Sequence, residues 1–199
     1  MATTLKFKVT FIEGVLGTCT NNKEIYREFI ASKSPDASTV EDEVAAVGVD
    51  EVVEKTMTVF PRDEEGRPFL YDYQVKGFFK DTCSALSRVP DSKSAKLKAF
   101  KKVIDGCIFP EPRKAPFVFD GEIGMCQRPL RAQTAQGERI SLACSEELPA
   151  GTTVEFSVVC LNDAHAALVR EWMDYGRYKG FLQWRNSGKG RFTYEEITD

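Results

Sequence analysis

The sequence predicts an α+β fold, an antiparallel sheet covered on one face by helices, and three observations carry that prediction. Leu5, Phe7, Val9 and Phe11 alternate with Lys6, Lys8 and Thr10, the period of a strand with one buried face. Val75, Phe78, Phe79, Cys83, Leu86 and Val89 recur at steps of three and four, as do Ala164, Ala167, Leu168, Trp172 and Tyr175. Two amphipathic helices therefore cover 75–89 and 163–175. Strand signals at 139–144 and 153–160 flank Pro149-Ala150-Gly151, a turn suited to an antiparallel hairpin.

The remaining elements follow in order. Gly14 and Gly17 end the first strand, and short helices are expected at 23–30 and, from a Ser38/Glu41 capping box to Gly48, at 38–48. Thr56 to Phe60 and Phe69 to Tyr73 flank the charged segment 61–68 and read as a hairpin. Pro90 ends the 75–89 helix, and 92–104 follows as a basic segment of weaker amphipathic order. The prolines at 110, 112 and 116 imply an extended connector. Asn162 or Asp163 caps the 163–175 helix, and Gly176 closes it.

The chain has 199 residues and 42% hydrophobic content, enough for one core, and residues 1–199 read as a single domain with insertions at about 18–70 and 90–127. Its 27 basic and 30 acidic residues give a net charge of −3, which excludes a uniformly basic nucleic-acid coat. The average conceals opposed regions: 1–73 carry −6, 74–114 carry +6 and 115–199 carry −3. The six cysteines have no close pair with metal-ligand spacing, and Cys83, Cys144 and Cys160 fall in apolar segments as reduced, buried residues. These features predict a cytoplasmic protein without signal sequence or membrane span, and without metal or cofactor.

The run Gly176–Phe192 holds four glycines, five basic residues, four aromatics and no acid. Glycines permit close backbone approach, cations supply charge and aromatics stack on bases, which is the equipment of a single-stranded nucleic-acid site. The competing reading is a solvated basic turn with Phe181 and Trp184 in the core. The spacing around Gly188-Lys189 lacks the Walker A pattern, so ATP binding has no support. Lys76 and Lys80 share a helix face with Asp81 as the acid expected between them, a pattern that suits a solvated face as well as a nucleic-acid contact. Arg128 and Arg131 could reach a phosphate, although taken alone the pair reads first as a plain surface loop. His165, the sole histidine, lies at a helix start outside any motif; no catalytic residue is assigned.

Stripped of insertions, the elements read β-α-β-β-α-β, a ferredoxin-like or RRM-like core. Tyr73-Gln-Val-Lys-Gly-Phe-Phe-Lys80 resembles the S-L-K-G-x-x-R segment opening the first helix of RAMP-superfamily proteins, the backbone subunits of type III CRISPR effectors in particular. Gln74-Val75 replaces the usual Ser-Leu. Residues 147–152 look like that family's hairpin, and Gly180 to Phe192 is similar to its glycine-rich loop before the last strand. The resemblance implies a RAMP-like module that binds RNA or single-stranded DNA, in a homo-oligomer or beside a CRISPR effector complex. Some members of that family cleave RNA with an Asp in a loop or a His near the first helix; this sequence has no His near either motif and no assignable Asp, so a module without catalysis is expected. The contact surface expected from residues and resemblance together is Lys76, Lys80, Arg128, Arg131, Arg177, Lys179, Trp184, Arg185, Lys189 and Arg191. The alternative is a phage-encoded counter-defence protein that docks on an effector subunit in the host cytoplasm; a ribonuclease is the third and weakest reading.

Overall fold

The computed structural model describes residues 2–20, 57–134 and 137–197; the helices expected at 23–30 and 38–48 lie outside the described residues. The first elements in chain order are β1 (Thr3–Phe11), β2 (Val15–Leu16), β3 (Cys19–Thr20), β4 (Thr58–Val59), β5 (Phe69–Tyr71) and α1 (Asp72–Leu86). Then come α2 (Phe100–Cys107), β6 (Ile108–Glu111), β7 (Lys114–Val118), β8 (Gly124–Thr134) and β9 (Gly137–Leu148). The last are β10 (Thr153–Cys160), α3 (Asp163–Asp174) and β11 (Phe192–Glu196). The chain divides into two compact units: Met1–Val15, Pro61–Glu122 and Leu148–Asp199 form the first, Leu16–Phe60 and Ile123–Glu147 the second.

The first unit is built on an antiparallel sheet in the order β11-β1-β10-β7-β5, with β6 also paired to β10. Its long central ladder joins Thr3 to Cys160 and Thr10 to Thr153 at its ends. Taking β6 and β7 together as one interrupted strand, β1, α1, β6–β7, β10, α3 and β11 form the β-α-β-β-α-β core, with the fourth strand beside the first and the third beside the second. The one-sided period holds in both central strands: Leu5, Phe7, Val9 and Phe11 are buried on β1 and Val154, Phe156, Val158 and Cys160 on β10.

That buried face is covered by α1 and α3. Gln74 Oε1 accepts from the Tyr71 amide at 2.8 Å to fix the start of α1, and Asn162 Oδ1 accepts from the Ala164 amide at 2.9 Å to cap α3. Val75, Phe78, Phe79, Thr82 and Cys83 are the buried stripe of α1, while Ala166, Leu168, Val169, Trp172 and Met173 are that of α3. The stripe on α3 is rotated from the expected one, with Ala164 exposed. Val89, expected on the α1 stripe, lies beyond the helix end and is exposed. Aromatic rings fill the layer between: Phe79 meets Trp172 at 5.4 Å and Phe78 meets Phe181 at 4.7 Å between centroids.

Three expectations need correction. The prolines at 110 and 116 sit in β6 and β7 rather than in a connector, so the region between α2 and residue 118 belongs to the main sheet. The turn at 149–151 forms, with Gly151 at φ 88°, but β9 and β10 enter different sheets; β9 pairs with β8 instead. The 61–68 turn also forms, closed by an Arg62–Pro68 bridge, yet β4 and β5 on either side of it are likewise in different sheets.

In the second unit β8 and β9 pair antiparallel from Gly124↔Glu147 to Thr134↔Gly137. There β4 runs parallel to β9 and antiparallel to β3. Gly17 lies so close to β4 that a Cβ would fall 2.4 Å from the Val59 carbonyl carbon, and its amide donates to the Glu146 carbonyl at 2.9 Å.

Candidate nucleic-acid interface

Between α3 and β11 the chain makes a closed loop. A short 3-10 turn at Tyr175–Arg177 follows α3 and another spans Arg185–Ser187. Its neck is tight: the Phe181 amide donates to the Gly190 carbonyl at 3.0 Å and the Gly190 amide to the Gly14 carbonyl at 2.9 Å. A Cβ on Gly180 would lie 1.7 Å from the Gly190 oxygen, and one on Gly176 would lie 2.2 Å from the Phe192 ring. Three of the four glycines in this run thus stand where another backbone or a ring leaves no room for a side chain, Gly190 included at 2.3 Å from the Phe181 oxygen. Phe181 and Phe192 stack at 4.7 Å and 7° beneath the loop and are fully buried.

What the neck holds up is strained and charged. Leu182 and Trp184 take φ values of 63° and 56°, the left-handed region that bulky residues occupy only when their surroundings impose it. Trp184 is 37% exposed and Tyr178 is 69% exposed, so both rings are partly accessible to solvent on the loop. Tyr178 was not among the residues singled out from sequence; its neighbours Arg177 and Lys179 in the same acid-free run were the available signal.

The cations of the loop converge on α1. Asp81 accepts from Lys179 Nζ at 2.9 Å and from Arg185 Nη1 at 3.0 Å, both on its Oδ2. One carboxylate therefore holds two cations and leaves one positive charge in excess. Asp81 is not the acid between Lys76 and Lys80: Lys80 Nζ pairs at 2.6 Å with Asp105 on α2, and Lys76 Nζ donates to the Asp105 carbonyl at 3.3 Å while lying 4.7 Å from the Phe109 ring centroid. Lys76, Lys80, Lys179 and Arg185 are thus gathered around α1 by two acids, all of them partly exposed.

The other expected residues are placed differently. Arg191 pairs instead with Glu13, at 2.7 Å. Arg177 is exposed and Lys189 half-buried on the loop. Arg128 belongs to the second unit, where it is buried with its Nη1 donating to Ser145 Oγ at 3.1 Å; Ser145 Oγ lies 2.7 Å from Thr58 Oγ1. Arg131 is on β8 of the same unit, opposite Ile140, and its side chain lies outside the described residues. Among the described residues no cluster of three or more His, Cys, Asp or Glu side chains could hold a metal ion, and no helix is long and apolar enough to cross a membrane.

No protein-family model matches the chain, and no curated protein matches it in sequence. A chain from the cryo-EM structure of the type III-B Cmr-beta bound to cognate target RNA is similar in structure, at a TM-score of 0.55 and 8% identity. The match covers 99% of this chain and 59% of that one, so this chain spans somewhat over half of its length. The likeness agrees with the ferredoxin-like α+β fold read from the order of elements.

Proposed function

We propose that this protein is a non-catalytic, RAMP-like module that binds RNA or single-stranded DNA through the 176–191 loop and the adjoining face of α1. The observation that carries the reading is the sharing of Asp81 by Lys179 and Arg185, which fixes the loop against the helix that bears Lys76 and Lys80. Phosphates compete well for cations held this way, because the pairs are partly exposed and worth little to the free protein. Trp184 and Tyr178 offer stacking faces beside those charges, with the backbone around Trp184 held in one conformation by the neck. The fold likeness to a chain in an RNA-bound type III-B assembly supports the same reading and suggests work beside other effector subunits or copies of itself. Arg128 and Arg131 belong to the second unit and are not part of the proposed surface.

The test is a titration of labelled single-stranded RNA and DNA at several salt concentrations. Each phosphate contact contributes about 0.7 to the slope of log affinity on log salt, so the double variant K179A/R185A should lower that slope by about 1.4. W184A should weaken binding about tenfold through lost stacking. Protein purified at low salt without nuclease should show a raised 260/280 absorbance ratio that a salt wash removes, in a particle heavier than 22.3 kDa by light scattering. Salt-insensitive or absent binding refutes the proposal, and RNA degraded during incubation, with or without divalent metal, refutes the absence of catalysis. A second reading, docking of this loop on a CRISPR effector subunit, draws on Trp184 and Arg185 as interface-anchoring types; it predicts no oligonucleotide affinity and a W184A-sensitive complex with that subunit.

A further inference from the structure

The segment that follows α1 and runs into the first turn of α2 carries Lys93, Lys96, Lys98, Lys101 and Lys102, with no acid between Asp91 and Asp105. All five are exposed, and none of their ammonium groups has a hydrogen bond or ion pair among the described residues. Lys101 and Lys102 lie in the first turn of α2, where the partial positive charge of the helix N-terminus opposes further cations.

The segment is nonetheless anchored. Glu171 on α3 accepts from the Lys93 amide at 2.7 Å, the Ser94 amide at 3.0 Å and Ser94 Oγ at 2.6 Å. The Trp172 indole donates to the same Ser94 Oγ at 2.9 Å, and Ser94 and Ile104 are fully buried. Five unpaired cations are therefore presented on a fixed scaffold, which is how a polyanion is bound without a large ordering cost. The scaffold continues into the loop site: Asp105 at the end of α2 holds Lys80 of α1, and the next residue on α1, Asp81, holds Lys179 and Arg185.

We propose that residues 93–102 are a second backbone-binding surface that takes the phosphates of a single-stranded nucleic acid extending beyond the 176–191 loop. This extension rests on the loop reading given above. It makes the bound strand longer than the loop alone can hold, and it makes affinity depend on strand length.

The experiment compares wild type, the fivefold variant K93Q/K96Q/K98Q/K101Q/K102Q, its Lys→Arg counterpart and K179A/R185A, with oligouridines of about 8 and about 30 nucleotides. The glutamine variant should bind the long strand at least about tenfold more weakly, with a salt slope lower by about 2 to 3, and should leave the short strand within about twofold. The arginine variant should match wild type, and 4-thiouridine cross-links from the long strand should reach a peptide within 93–102. Equal binding of the long strand by wild type and the glutamine variant overturns the proposal, as do cross-links confined to 176–191. Lysine-dependent capture of phosphatidylserine vesicles, with long-strand binding unchanged, overturns it in favour of a membrane surface. A wild type that binds neither strand defeats both readings. A K179A/R185A protein with unchanged short-strand affinity defeats the loop reading alone, and a loss there with an inert lysine segment defeats only the extension.

Discussion

Arg185 reaches across from the loop to place its guanidinium 3.0 Å from the Asp81 carboxylate on α1, where Lys179 Nζ already stands at 2.9 Å on the same oxygen. The acid positions the two cations and also cancels half of their charge. Replacing it separates these roles. D81N should raise affinity for single-stranded RNA by a few-fold and steepen the salt slope by up to about 0.7, since one more positive charge becomes available. The stability cost should stay below about 1 kcal/mol because all three groups are partly exposed. A D81N protein that binds RNA more weakly would mean that geometry outweighs charge at this site.

The glycines of the loop are not equivalent, and the difference is measurable by urea unfolding. G180A must place a methyl group 1.7 Å from the Gly190 carbonyl oxygen, backbone that cannot give way without opening the neck. It should cost at least about 3 kcal/mol or prevent folding. Gly188, at φ 86°, has only the end of the Arg191 side chain near its missing Cβ, at 3.5 Å. G188A should cost about 1 kcal/mol, the left-handed penalty alone. Equal costs for the two would show that the neck is not closed as described.

That contrast explains how much of the site could be read from the sequence. The run 176–192 stands out by composition, and Lys179, Trp184 and Arg185 lie on it where a loop site needs them. Composition does not distinguish a glycine that frees the backbone from one that admits a neighbouring ring, as Gly176 admits Phe192. Nor does it pair charges: Asp81 sits beside Lys80 in sequence, yet Lys80 goes to Asp105, 25 residues on, and Asp81 to residues about 100 away. Among fold elements, β1, β10, α1 and α3 were legible because each buries one face and therefore keeps a strict period. The 11-residue strand β8 was missed because Gly124-Met-Cys-Gln-Arg-Pro-Leu-Arg-Ala-Gln-Thr134 has no such period; among the described residues it pairs with β9 alone, an edge position that tolerates Pro129. The β9–β10 hairpin was misassigned because local turn chemistry says that a chain reverses, not that both strands share a sheet.

Thiol reactivity gives a check on the core of the first unit. Burial pushes the Cys160 thiol up to about 11, only partly offset by Arg170, and burial likewise raises Cys83. The reactive thiolate is therefore scarce at pH 8, so iodoacetamide should leave Cys160 unmodified in the native protein and label it once the chain is unfolded. Peptide mass spectrometry after brief labelling reads this directly. Native-state labelling of Cys160 at the unfolded rate would place the end of β10 outside the core.

The pair Arg170–Glu196 ties α3 to β11 through two hydrogen bonds of 2.7 Å, from Nε to Oε2 and from Nη2 to Oε1. The hydrogen bonds from Arg170, with its charge, lower the Glu196 carboxyl below the usual glutamate value, against a smaller opposing effect of burial. A carboxyl depressed in the folded state contributes stability that is present above the unfolded value of about 4.3 and is lost as pH falls through the lower folded value. Because both side chains are more than a third exposed, solvent screening holds the pair to about 0.5–1 kcal/mol. E196Q should therefore unfold in urea with a stability lower by about that amount at pH 7, and the deficit should shrink toward zero well below pH 4 and also in about 1 M salt. A deficit that persists undiminished at low pH would assign the loss to packing at the end of β11 rather than to the ion pair.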